Sequence, residues 1–389
     1  MSTVLLPPIQ AVESTRPPGR TARIAHLTSV HTAFDVRIFH KECKTLAEAG
    51  YEVILIAPHD KAEVIQGVNI EPVSKEGSRR RRMSSTVWEV YRKAVHSHPD
   101  LVHFHDPELL PVGVLLKLRG ARVIYDAHEH LANDILSKYW IRPSLRRIVS
   151  ASAGTIERLA TKAFDGVIGA TPAIANCFPP HKTELVQNYP LAGEFVESTG
   201  VPYRQRRPVI VYAGSITEMK GAREMVQAMS HLPGNLPARL TLLGETEPSG
   251  LRAELEVMPG WDKVDYLGLR ERSSLAQFLY SARVGLALFH PIPNYDDSQP
   301  NKLFEYMSAG LPVVASNFPA WRALIEKLDC GLVVDPLDTR AIAGAMQWIL
   351  ERPSEAEAMG KRGKEAVRST YNWNSQAASL LSLYARVLG

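Results

Sequence analysis

Short apolar runs alternate with amphipathic stretches along almost all of this 389-residue chain, and the alternation occurs twice. In the first half, runs at 23–27, 53–57, 101–105, 122–125, 166–170 and 184–187 predict strands. Helical periodicity fills the spaces between them, at 37–49, 85–96, 109–118, 144–164 and 172–178. Strands that alternate with helices pair in parallel. Residues 191–207 break the rhythm with Gly193, Gly200, Pro202 and a polar Arg-Gln-Arg-Arg, which marks an interdomain connection. The pattern restarts with Pro208-Val-Ile-Val-Tyr-Ala-Gly214, and strands follow near 239–243, 264–267, 284–288, 313–315 and 331–334. The expected fold class is therefore α/β, with two Rossmann-like halves whose strands direct their carboxyl ends toward a shared cleft. The domains read as a flexible tail over 1–21, a first domain over 22–195, a linker over 196–207, a second domain over 208–370, and a closing helix over 371–389.

The chain holds no apolar run near 18 residues, so no membrane span is expected. The opening residues carry Pro7, Pro8, Pro17 and Pro18 but no apolar core, unlike a secretory signal. Cys43, Cys177 and Cys330 are few and scattered, which fits a reducing, cytoplasmic setting without a disulfide framework or a zinc motif. Residues 1–195 hold 24 Lys and Arg against 20 Asp and Glu, while the remainder is balanced at 21 of each. The excess is densest at Arg79, Arg80, Arg81 and Arg82, and again from Lys138 to Arg147. Such patches attract phosphate-bearing surfaces. They suggest peripheral contact with an anionic inner membrane face. Nucleic acid is not expected, since no recognition motif or aromatic platform accompanies the charge. No G-x-G-x-x-G follows the first strand of either half, which weighs against a nicotinamide enzyme.

The stretch from Asp296 to Val314 is the richest in chemistry. Asp297 and Glu305 stand eight apart. Glu305 lies in an amphipathic segment that ends at Gly310 before an apolar strand. A loop feeding a helix N-terminus at a sheet's carboxyl edge presents free N–H groups, a seat for phosphate. Lys302 would add a point charge there. In the first half, Val102-His103-Phe104-His105-Asp106 and Tyr125-Asp126-Ala127-His128-Glu129 gather imidazoles and acids at two neighbouring strand ends. Asp35 would cap the helix that begins near Arg37.

The acid-x7-acid pattern before Gly310-Leu-Pro-Val-Val resembles the donor site of the retaining GT-B glycosyltransferases of family 4, and the resemblance runs from about residue 22 to 389. It implies transfer of a sugar from a nucleotide diphosphate sugar with retention at the anomeric carbon, without a metal or other cofactor. It implies catalytic roles for His128, near the reacting sugar, and for Asp297, on the sugar hydroxyls, with Asp standing where the family usually has Glu. Ser215, Lys220, Gly221, Gly268, Arg270, Asn301, Lys302, Leu303, Phe304 and Glu305 become the donor-binding set. Ser215 stands where the family usually has Arg, so Lys220 and Lys302 would carry the diphosphate, with Arg270 as helper. Asp35, Arg37 and His105 fall on the acceptor side. The implied partners are a nucleotide-sugar donor and a glycan or lipid-linked acceptor in cell-surface glycan assembly. A small soluble acceptor, a sugar-nucleotide epimerase or hydrolase, and a non-catalytic nucleotide-sugar binding protein remain open as alternatives.

Overall fold

The computed structural model describes residues 21–75, 77–78, 81–138, 141–191, 193–195, 201–293, 295 and 298–389. The chain divides into two compact units, one running to Gln187 and taking back Gln376–Gly389, the other spanning Asn188–Ser375.

The first unit is built on an eight-stranded sheet: β1 (Arg23–Leu27), β2 (Glu52–Pro58), β3 (Glu63–Ile65), β4 (Val68–Val73), β5 (Leu101–Phe104), β6 (Arg122–Ala127), β7 (Gly166–Gly169) and β8 (Thr183–Leu185). Their order is β3-β4-β2-β1-β5-β6-β7-β8, parallel except for the β3–β4 hairpin. The central strands are buried on both faces, which is why they read as unbroken apolar runs. Strand order reverses between β1 and β5, and such a switch point opens at the strands' carboxyl ends. Among the surrounding helices, α1 (Pro143–Ala163) is the longest described in this unit and buries only Ser150, Gly154, Glu157 and Thr161.

The second unit has a six-stranded parallel sheet in the order β13-β11-β9-β14-β15-β16. Here β9 is Val209–Ala213, β11 Arg239–Leu243, β13 Val264–Gly268, β14 Val284–Ala287, β15 Val313–Ser316 and β16 Gly331–Val334. A separate pair, β10 (Ile216–Thr217) and β12 (Thr246–Glu247), extends the loops after β9 and β11. The switch point lies between β9 and β14. Helix α2 (Ala222–Ser230) follows the β9 loop, and α3 (Asn301–Ser308) follows the β14 loop. The last helix, α4 (Trp373–Leu388), begins in the second unit and ends in the first.

The expected boundaries move by a few residues. The first break falls at 187/188 rather than 195/196. The end of the expected linker is packed, not free: Tyr203 is buried and its Oη donates to the Arg283 carbonyl at 2.6 Å. Tyr371 stays with the second unit, its ring against Phe304 and Tyr189, so return to the first unit starts at Gln376. Apart from Thr21, the expected tail lies outside the described residues.

Candidate active site

At the switch point of the second unit, β9 ends in Gly214-Ser215 and the chain turns through Lys220-Gly221 into α2. Gly221 adopts φ 71°, and a Cβ there would sit 2.4 Å from the Leu288 carbonyl oxygen. Only glycine lets this loop lie against the end of β14. Gly214 has φ 126°, and its missing side chain leaves room for Lys302, whose Nζ would be 3.3 Å from a Cβ. Lys220 Nζ donates to Ser215 Oγ, so the serine holds the lysine across the loop.

Lys302 enters from the first turn of α3. That helix starts at Pro300 with no side chain capping its N–H groups. Uncapped first-turn N–H groups are the arrangement that favours an anion. The Lys302 ammonium stem is buried, its Nζ lies 3.6 Å from the centre of the Tyr212 ring, and that nitrogen has no hydrogen-bond partner. Burial first, and repulsion from Lys220 second, hold the amine well below its ordinary range. Glu305, one turn on, is buried and accepts from Arg272 Nη2 at 2.9 Å. Arg272 also pairs with Glu194.

Several expected donor residues are placed differently. Leu303 and Phe304 are only 1% exposed and pack in the core, so their side chains cannot touch a ligand and only their backbone could. Arg270 is exposed; Arg272, two residues on, is the arginine that meets Glu305. Gly268 takes φ 67° at the end of β13, and its N–H neighbour Leu269 donates to Glu245. Asn301 is exposed at the start of α3. Asp297 lies outside the described residues.

In the first unit, Asp35 caps its turn, its Oδ1 accepting from the N–H groups of Arg37 and Ile38. Arg37, expected on the acceptor side, turns inward. It is buried, grips Asp126 through Nε and Nη2 at 2.9 Å each, and donates to the Val186 carbonyl. Burial disfavours the Asp126 anion, but Arg37 and His128 outweigh it and hold its carboxyl well below the usual range. His128 Nε2 lies 3.0 Å from Asp126 Oδ2 and 3.3 Å from His105 Nδ1, with the His128 side chain partly exposed. His105, expected on the acceptor side, is itself fully buried. Behind it stand His103, part of the imidazole-bearing strand end in the sequence, and His26 and Glu42, which the sequence did not single out. The His-x-His spacing puts His103 and His105 on one face of the same sheet edge, and parallel register sets His26 beside His103. Burial first holds all three imidazoles below their ordinary range, with repulsion from neighbouring imidazoles second at His26 and His103 and a smaller push from His128 at His105.

Two family models match the chain: Glycosyltransferase Family 4 over residues 36–181 and Glycosyl transferases group 1 over 207–352. The chain belongs to this family of glycosyltransferases. It is an enzyme of glycosyl transfer, EC 2.4, with the GT-B fold. It is similar to the MMP alpha-(1->4)-mannosyltransferase of Mycolicibacterium hassiacum, 25% identical over 73% of this chain and 70% of that protein. It is also similar to the phosphatidyl-myo-inositol mannosyltransferase of Mycolicibacterium smegmatis, 24% identical over 89% and 88%. Among solved structures, the Anabaena HepE protein in complex with UDP and glucose superposes with a TM-score of 0.71 at 14% identity, over 93% and 98% of the two chains.

Proposed function

We propose that this glycosyltransferase transfers a hexosyl group, with retention, from a UDP- or GDP-sugar to a lipid-linked or polysaccharide precursor at a membrane face. The observation that carries the donor reading is Lys302: a buried amine without a hydrogen-bond partner, set at a helix N-terminus beside Lys220. A diphosphate would supply the missing acceptor. As the glycosidic bond breaks, negative charge gathers on the leaving diphosphate. Lys220, Lys302 and the first N–H groups of α3 stabilise it without reorganising, and each such donor is worth ~3 kcal/mol of barrier. Glu305, oriented by Arg272, binds ribose hydroxyls, and Asp297 binds those of the sugar. His128, with its orientation set by Asp126, holds a sugar hydroxyl or the charge developing at the reacting carbon. The UDP in HepE supports a nucleoside diphosphate ligand.

The membrane reading rests on α1. Leu145, Ile148, Val149, Ile156 and Leu159 are exposed along it, flanked by Arg142 and Arg147. An apolar stripe edged with arginine suits the interface of an anionic bilayer. The phosphatidylinositol acceptor in the name of one relative points the same way. The other basic cluster contributes less: Arg82 is paired with Glu108, while Arg79 and Arg80 lie outside the described residues. No described helix is long and apolar enough to span a membrane.

Thermal unfolding with millimolar UDP, GDP, ADP or CMP tests the donor. A ligand at about 100 times its Kd adds about 2.7 kcal/mol, a visible rise in Tm. Stabilisation by one diphosphate is expected; none from any of the four would remove the donor reading. For the membrane, sedimentation with phosphatidylglycerol vesicles should be strong in wild type and lost in Ile148→Glu/Leu159→Glu. Absence of wild-type binding would leave a soluble acceptor as the reading.

A further inference from the structure

Three imidazoles and one carboxylate converge inside the first unit, with one nitrogen or oxygen of each turned toward the others. His26 Nδ1 is 3.1 Å from His105 Nε2, and Glu42 Oε2 is 3.8 Å from His105 Nε2 and 4.0 Å from His103 Nε2. One donor atom from each of the four lies within 4.8 Å of the others. Their outward nitrogens are all engaged: Tyr384 Oη meets His103 Nδ1 at 2.7 Å and His26 Nε2 at 3.1 Å, and His105 Nδ1 faces Asp126 Oδ2 at 3.3 Å. Outer partners of this kind orient the ligand nitrogens of a metal site. Of the inner atoms, His26 Nδ1 and His105 Nε2 pair with each other, whereas both Glu42 oxygens and His103 Nε2 are buried without a hydrogen bond. Glu42 Oε1 is 3.0 Å from Arg37 Nε, but that N–H is directed to Asp126, whose charge matches the guanidinium.

We propose that His26, Glu42, His103 and His105 form a structural binding site for one borderline first-row transition cation, of which Zn²⁺ is the probe. Neutral imidazoles with one carboxylate suit such ions better than Mg²⁺ or Ca²⁺, which prefer oxygen. Tetrahedral Zn²⁺ ligands stand about 3.3–3.5 Å apart, so the 3.8 and 4.0 Å pairs must close by about half an ångström and the remaining pairs, all within 4.8 Å, by at most about 1.5 Å. The cation would tie β1, β5, the turn carrying Glu42 and, through Tyr384, helix α4. The neighbouring trio of His105, Asp126 and His128 is less suited, because Arg37 already occupies the Asp126 carboxylate. The site is structural; it adjoins the transfer site through His105, whose Nδ1 faces Asp126 and His128, while the transfer chemistry itself is expected to need no metal.

Full-length protein is unfolded with a chelator, refolded with or without one equivalent of ZnCl₂ or CoCl₂, and freed of unbound ions. Wild type should retain one Zn²⁺ per chain, melt higher with it, and show visible ligand-field bands of Co²⁺ in a low-coordinate site. Glu42→Gln, which keeps the shape, should fold and lose at least tenfold in affinity; His103→Asn checks a second ligand. Retention well below one equivalent with no rise in Tm overturns the proposal. Equal retention by Glu42→Gln overturns it too, by placing the ion elsewhere. A Glu42→Gln protein more stable than wild type, with no metal in either, would identify a neutral hydrogen-bonded cluster instead.

Discussion

Lys302 Nζ stands 3.6 Å over the ring of Tyr212 and makes no hydrogen bond. The aromatic face offers a buried cation partial compensation, worth more where water is excluded. It does not satisfy the N–H donors of the Lys302 nitrogen. The residue is thus held ready at a cost to the folded state.

Replacing Lys302 with Met should leave the nucleotide-free protein as stable as wild type or more so, by ~1–2 kcal/mol, because an unsatisfied buried polar group disappears. Stabilisation by a nucleoside diphosphate should vanish. The turnover number should fall by roughly 10²–10³-fold. Melting curves with and without nucleotide, and steady-state kinetics, separate these effects.

Arg37→Met should behave oppositely. It strands Asp126 in a buried site, and breaking such a pair costs about 3–5 kcal/mol. Denaturant unfolding should show the loss. A protein of normal stability with reduced turnover would instead return Arg37 to the ligand-facing role expected from sequence.

Gly221→Ala should destabilise the second unit by about 1–3 kcal/mol, from positive φ and from collision with the Leu288 carbonyl. It should also raise KM for the donor, since the Lys220 loop can no longer seat against β14. Gly234→Ala, where a Cβ meets nothing within 4 Å, is the control expected to be near neutral.

Arg272→Ala should raise KM for the nucleotide sugar more than Arg270→Ala, which is exposed. Arg272 holds Glu305 and Glu194 together, whereas Arg270 is not seen to touch Glu305. Equal effects of the two substitutions would rule out this distinction.

His31 supplies a pH test. Burial disfavours its charged form, but the hydrogen bond to Asp35 and the field of Asp106 outweigh that and raise its pKa. A raised pKa contributes stability in full below the unfolded value of about 6.5, and the contribution fades as pH rises through the folded value. His31→Gln should therefore be less stable than wild type near pH 5.5, with the gap narrowing above neutrality. Parallel unfolding curves across that range check the sign.

The strands of both sheets were legible because a parallel strand buried on two faces must be apolar throughout. The β3–β4 hairpin was missed: its turn is Gln66-Gly67, with φ 51° and 80°, and Gln is a poor advertisement for a left-handed position. The helix Leu131–Ser137 was missed because it buries no residue, so no apolar stripe marks it. The loops that bring Lys220 and Lys302 together were readable from Gly and Lys at turn positions and from the amphipathic segment of α3.

What sequence alone determined was the α/β class, the duplication and the family, and it singled out the stretches where donor binding is proposed. Only the tertiary structure decided which way the chemistry points. Arg37 and Arg270 are equally charged in sequence, yet one is buried against Asp126 and the other lies in solvent. Leu303 and Lys302 are neighbours, and one fills the core while the other sends an amine toward Gly214 and Tyr212. His26, Glu42, His103 and Tyr384 come from elements up to 358 positions apart and share one interior. Local periodicity reports burial along an element, because burial repeats with the backbone. Partners across elements depend on register and packing, and those exist only once the whole unit has closed.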